Sequence, residues 1–218
     1  MNKRVMDLKK VEVWDGNMAN SQALRQADVD VIAAYPITPS TATVENYCMF
    51  HANGYIDGEV IMTESEHAAM SACIGAGAAG GRVATATSSQ GLALMIETLY
   101  QASGMRIPVV LCLVNRALAA PLNVNGDHSD LYLTRDSGWI SIDAFSPQEA
   151  YDMTLMSFKI SEHPAVRLPV ISNQDGFMTS HTAQNVTPLE DDVACKFVGD
   201  YLQVNALLNF DKPVTHGV

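Results

Sequence analysis

Short apolar runs recur along the chain at spacings that leave room for a helix between them. They fall at residues 29–34, 59–63, 83–87, 108–114, 140–143 and 168–173. None alternates strictly, and Val and Ile dominate, the pattern of strands buried on both faces of a parallel sheet. The segments between them, 18–27, 41–52, 66–80, 92–104 and 147–161, have helical character. Pro147 after Ser146 marks a helix start, since proline suits the first turn and serine the cap. Alternating strand and helix predicts a doubly wound α/β fold, a mostly parallel sheet with helices on both faces. From Thr182 onward the periodicity fades. The expected organisation is a main domain over 1–181 and an extension over 182–218 leading toward a further domain, either missing or separate.

In such sheets ligands sit at the carboxyl ends of the strands. Tyr35-Pro36-Ile37-Thr38-Pro39-Ser40 follows the first run, Glu66 the second, Ser88-Ser89-Gln90-Gly91 the third and Arg116 the fourth. Four chemically distinctive segments therefore converge on one expected face.

Composition narrows the function classes. The chain has 218 residues, enough for one large domain, with 48% hydrophobic and only 17% charged residues, a surplus that fits burial against other subunits. Its net charge of −11, from 24 acids against 13 bases, repels nucleic acid, and no basic cluster offsets that. Cys48, Cys73, Cys112 and Cys195 form no CxxC pair, which argues against a zinc or iron–sulfur site within the chain. Cys73 and Cys112 read as small core residues, and a reducing cytoplasm fits best. No stretch approaches the roughly 20 apolar residues of a membrane helix, and MNKRVMDLKK is not of signal-peptide type. The run Glu190-Asp191-Asp192 reads as solvated surface rather than a metal site, and no metal ligands are expected.

Each candidate has a plain alternative. Glu66 opens a segment of small residues, Ala68 to Ala79; an acid there either works in a water-poor site or serves the helix's positive end. Prolines 36 and 39 stiffen the loop around Ile37 and Thr38, or the loop is an ordinary connection with Ser40 or Thr41 as cap. Arg116 offers a planar fork for a carboxylate, or an ion pair with Asp127, Asp130 or Asp136. Ser89 and Gln90, beside Gly91, either approach a ligand or cap a helix. Asp127 and Asp130 are expected to cap or pin their loop, with His128 at an interface. His67, His163, His181 and His216 read as structural or surface residues. The run Gly75 to Gly81 lacks GxGxxG spacing, so a nicotinamide-binding domain is a weak rival, and close packing across a subunit boundary is the preferred reading.

Taken together, YPITP, SEHAA with its glycines, TSSQGL and NRA…DHSD…RD.GWI resemble, in order, the 2-oxoacid:ferredoxin oxidoreductases, specifically the pyrimidine-binding domain that opens the alpha subunit. The resemblance runs from about Gly16 to Phe177. It implies oxidative decarboxylation of a 2-oxoacid on thiamine diphosphate, with acyl transfer to coenzyme A and electrons to ferredoxin. It assigns the cofactor-activating carboxyl to Glu66 rather than Glu64, and the substrate to Thr38 and Arg116. The cofactor itself would meet Pro36, Ile37, Thr38, Glu66, Ser89 and Gln90. By the same resemblance the cofactor is shared with a partner, Mg²⁺ and iron–sulfur clusters lie on beta, gamma and delta subunits, and a second alpha/beta unit completes the assembly. Pyruvate is the expected substrate, with phenylglyoxylate or a branched-chain 2-oxoacid as alternatives. A non-catalytic transketolase-like scaffold is the rival from another class. Asn17-Met18-Ala19-Asn20 departs from the family's usual first-helix start.

Overall fold

A computed structural model describes residues 3–118, 121–201 and 205–215. The chain runs β1 (Glu12–Trp14), α1 (Gly16–Gln26), β2 (Val31–Ala34), α2 (Thr41–Ala52), β3 (Glu59–Met62), α3 (Glu66–Ala79), β4 (Val83–Thr87) and α4 (Ser89–Gly104). It continues through β5 (Val109–Val114), α5 (Ser129–Tyr132), β6 (Ile140–Ala144), α6 (Pro147–Ser161), β7 (Val170–Gln174), β8 (Gln184–Val186) and α7 (Asp191–Val198).

Six strands form one parallel sheet in the order β3-β2-β4-β5-β7-β6. Side chains alternate across it, because successive residues of a strand point to opposite faces. Ile32, Ala84, Ala86, Val110 and Cys112 pack under α1, α2 and α6. Ala33, Val83, Leu111, Leu113 and Ile171 pack under α3 and α4. Cys73 and Cys112 are fully buried, and burial pushes both thiols up to about 12.

Local chemistry fixes the helix ends. Asp15 accepts from Met18 N, Ser65 from Ala68 N and Ser146 from Glu149 N, each supplying a partner to an otherwise orphan first-turn amide. Gly80, at φ 112°, closes α3 in the left-handed region that favours glycine. A Cβ at Gly77 would stand 2.4 Å from Ile107 Cγ2. The tight packing of the glycine run is therefore internal there, whereas Gly75 faces open space.

Three expectations need correcting. Strands β3 and β6 are the sheet's edges and stay partly exposed rather than buried on both faces. The segment after Thr182 is not without structure: β8 pairs antiparallel with β1, and α7 packs near α1 and α6. The acid run is not simply solvated either, since Asp191 takes both Nη1 and Nη2 of buried Arg25, at 2.9 and 2.6 Å, and Gln26 Nε2 at 2.8 Å. Burial raises the Asp191 carboxyl, but the Arg25 and Gln26 bonds outweigh it and hold the group below its usual range.

Candidate active site

Strand β2 leads through α2 to β3 on one side, while β4 leads through α4 to β5 on the other. The winding reverses between β2 and β4, and such a switch point leaves a crevice at the strands' carboxyl ends. The loop after β2, the turn after β4 and the end of β5 surround it.

Glu66 is the first residue of α3 and is only 7% exposed. Its neighbour Ser65 supplies the capping bond, while Glu66 stands in the first turn, where an acid also serves the helix's positive end. Among the described residues no hydrogen bond ends on its carboxyl group. Across from it, the start of α4 supplies Gly91. A Cβ there would lie 2.6 Å from Glu66 Oε1 and 2.4 Å from Thr87 Oγ1. Both oxygens thus close on the backbone of Gly91, where a side chain would displace them. Thr85 Oγ1, Thr87 Oγ1 and Ser88 Oγ are buried and without a partner among the described residues. Two threonines in the otherwise apolar strand VATAT were the available signal for these hydroxyls, which the sequence reading missed.

Arg116 is 5% exposed. Its Nη1 donates to the Thr38 carbonyl at 2.7 Å and its Nη2 to Gln90 Oε1 at 2.7 Å. Nε has no partner. None of the three aspartates considered as its ion-pair partner takes the guanidinium. Asp127 accepts from Ser129 N, Asp136 pairs with Arg135, and Asp130 binds the arginine's backbone N. A nearly buried cation held only by neutral oxygens favours an incoming anion, because an uncompensated buried charge is costly.

Thr38, Gln90 and Arg116 therefore touch directly, whereas Pro36 and Thr38 are exposed at the mouth and Ile37 is half-buried. Ser40 occupies the cap position of α2 but makes no capping bond; its hydroxyl donates to Ile37 O and tightens the loop instead. Ser88 likewise caps α4 by position only. Asn17 holds this loop from behind: its Nδ2 donates to Pro39 O at 3.0 Å, and its Oδ1 accepts from Thr43 Oγ1 at 2.7 Å. The unusual helix start thus carries a contact for the loop.

Asp130 is fully buried and accepts from Ser89 N, Arg116 N, Asn115 Nδ2 and Leu131 N, at 2.8–2.9 Å. Burial raises its carboxyl, partly countered by those donors. His128 binds Asp175 in the turn after β7; that bond, with the Asp175, Asp143 and Asp130 charges, raises its imidazole against the opposing effect of burial. His67 lies 3.7 Å from Glu97, and His181 bonds Ser180. His216 lies outside the described residues.

Residues 22–218 match the family described as pyruvate flavodoxin/ferredoxin oxidoreductase, thiamine diP-bdg. The chain belongs to this family. Among similar oxidoreductase subunits, pyruvate synthase subunit PorA of Methanocaldococcus jannaschii is 50% identical over 95% of this chain and 54% of its own length. Ketoisovalerate oxidoreductase subunit VorA of Pyrococcus furiosus is 43% identical over 97% of this chain and 54% of its own. The chain spans about half the length of the curated relatives it matches. A solved 2-oxoglutarate:ferredoxin oxidoreductase from Magnetococcus marinus, with 2-oxoglutarate, coenzyme A and succinyl-CoA bound, superposes with a TM-score of 0.75 at 27% identity. That match covers 87% of this chain and 34% of the other.

Proposed function

We propose that this chain supplies the pyrimidine-facing and carboxylate-binding half of a 2-oxoacid:ferredoxin oxidoreductase active site. One observation carries the reading: a nearly buried carboxyl group, Glu66, stands at the switch-point crevice close against the backbone of Gly91, with no hydrogen-bond partner among the described residues. A pyrimidine ring nitrogen suits such a carboxyl, since both want a hydrogen bond in a water-poor place. When bound, thiamine diphosphate supplies a nucleophilic carbon, C2 of its thiazolium ring, and an electron sink for decarboxylation.

The chain's own residues do the rest. Glu66 would meet the pyrimidine N1′ through a hydrogen bond made in a water-poor place. Arg116, braced by Gln90 and the Thr38 carbonyl, presents its remaining donors to the substrate carboxylate. The loop from Pro36 through Thr38, with Ser89 and Gln90, lines the cofactor's side of the crevice.

Among the described residues no group of His, Cys, Asp or Glu is arranged to hold a metal. In this reading Mg²⁺ and the iron–sulfur clusters belong to beta, gamma and delta subunits, which pass electrons to ferredoxin, while coenzyme A accepts the acyl group. The cofactor lies where this chain meets its beta partner, and a second alpha/beta unit completes the complex. Among the described residues no helix is long and apolar enough to cross a membrane. The scattered cysteines, without a CxxC pair, support a reducing cytoplasm as the enzyme's compartment.

Pyruvate is the first substrate choice, because PorA relatives are 45–50% identical and VorA relatives 43–44%. A branched-chain 2-oxoacid is the second reading on that narrow margin. The ratio of kcat/KM for pyruvate and 2-oxoisovalerate decides between them.

Glu66→Ala in the assembled complex is expected to slow C2–H exchange of bound thiamine diphosphate by about 100-fold or more. Exchange at the parent rate would remove Glu66 from this role. The isolated chain, given 2-oxoacid, thiamine diphosphate and a dye acceptor, is expected to show no turnover; turnover would remove the need for partners.

A further inference from the structure

Asp130 is the most deeply buried acid near the crevice, yet no charged side chain pairs with it among the described residues. It accepts four N–H donors instead. The division between its two oxygens is informative. Oδ2 alone takes both Ser89 N and Arg116 N, each at 2.9 Å. Oδ1 takes Asn115 Nδ2 and Leu131 N, each at 2.8 Å. One oxygen therefore ties the turn after β4 to the end of β5.

These two backbone positions are the roots of the Arg116–Gln90 pair. Arg116 springs from one, and Gln90 follows Ser89 at the other. Ser89 has φ 47°, a conformation that non-glycine residues rarely adopt, and its N–H to Asp130 is one of the contacts that hold it there. Ser89 Oγ donates to Ala117 O at 2.7 Å, a second tie between the same segments. Removing the Oδ2 acceptor releases both segments at once, and the fork of Arg116 loses its aim.

We propose that Asp130 is a positioning residue for the substrate carboxylate: it touches no substrate and fixes the spacing between Arg116 and Gln90. The proposal rests on the functional reading above, which gives Arg116 the carboxylate. Asparagine cannot replace Asp130. Its single oxygen serves one pair of donors, and its NH₂ then meets the other pair donor to donor. Charge alone is not the requirement; two acceptor oxygens are.

The test is a double-mutant cycle in the assembled complex with Asp130→Asn and Arg116→Ala. Two quantities are measured: kcat/KM for the 2-oxoacid, and the Kd of oxamate, an unreactive pyruvate isostere, by calorimetry. Asp130→Asn alone is expected to raise both KM and the oxamate Kd at least tenfold. In the Arg116→Ala background the same change is expected to add less than twofold, because the arginine it aims is gone. Additive losses, or an unchanged oxamate Kd in Asp130→Asn, overturn the positioning role. Where Asp130→Asn fails to assemble, Asn115→Ala removes one donor from Oδ1 and takes its place in the cycle, with a smaller, equally non-additive rise in Kd.

Bound thiamine diphosphate and its C2–H exchange report on the functional reading separately. A parent complex with neither bound cofactor nor turnover would overturn that reading and, with it, the inference. Normal cofactor with additive losses overturns the inference alone.

Discussion

Gly91→Ala adds one methyl group at the crevice and isolates the geometry around Glu66. The backbone accepts alanine, since Gly91 is not among the residues with positive φ. The new Cβ would stand 2.4 Å from Thr87 Oγ1, 2.6 Å from Glu66 Oε1 and 2.8 Å from Glu66 Cγ. Non-bonded contacts of carbon settle at about 3.5–4.0 Å, so Glu66 must retreat by roughly 1 Å. Its side chain is flexible enough to do so without unfolding the chain. A misplacement of that size costs about 100-fold in a catalytic contact, or about 2.7 kcal/mol. Stability should change little: overpacking costs about 1–3 kcal/mol, while alanine in place of glycine returns about 1 kcal/mol within a helix. The expected result is C2–H exchange of bound thiamine diphosphate slowed about 100-fold, with Tm lowered by no more than about 8 °C. Exchange within twofold of the parent, in a folded and assembled variant, would refute the placement of Glu66 against the ring.

Arg82 and Glu162 form a buried pair joined at 2.7 and 2.8 Å, and the arginine also donates to Ala27 O and Gly199 O. Arg82→Ala leaves the buried Glu162 without its hydrogen-bonded cation and is expected to cost about 3–5 kcal/mol in urea unfolding; a loss below 1 kcal/mol would show that the pair relaxes freely. The His128–Asp175 bond raises the imidazole above its ordinary value near 6.5, so its contribution is full below that value and disappears as pH rises through the raised one. Comparing Tm of His128→Gln with the parent across pH 5.5–8.5, the gap is expected to be widest at the acid end. A gap that grows with pH would contradict the assignment.

The sheet was readable from the chain because β2 and β5 are apolar throughout and β4 and β7 open on apolar residues, as strands covered on both faces do. The edges were not, since periodicity carries no strand order: β3 reads like its neighbours yet leaves Ile61 and Met62 exposed. Strands β1 and β8 are only three residues each and exist through pairing with one another across most of the chain, which no local pattern reveals. The site's positions were legible as distinctive residues at strand ends. Their contacts were not. That Arg116 binds a carbonyl and an amide rather than an aspartate depends on how three loops meet, as does the gathering of four donors around Asp130. Gly91 signalled close approach correctly in kind, but the neighbours it admits are Glu66 and Thr87 of this same chain.

The ribbon of β1 and β8 has a mechanical consequence. Its register sets Glu12 opposite Val186 and Trp14 opposite Gln184. The incoming end of one strand and the outgoing end of the other therefore lie side by side. Tension applied through those two ends peels the rungs apart one after another instead of shearing them together. Once the contacts outboard of it have given way, the ribbon therefore opens like a zip while the parallel sheet beside it stays closed.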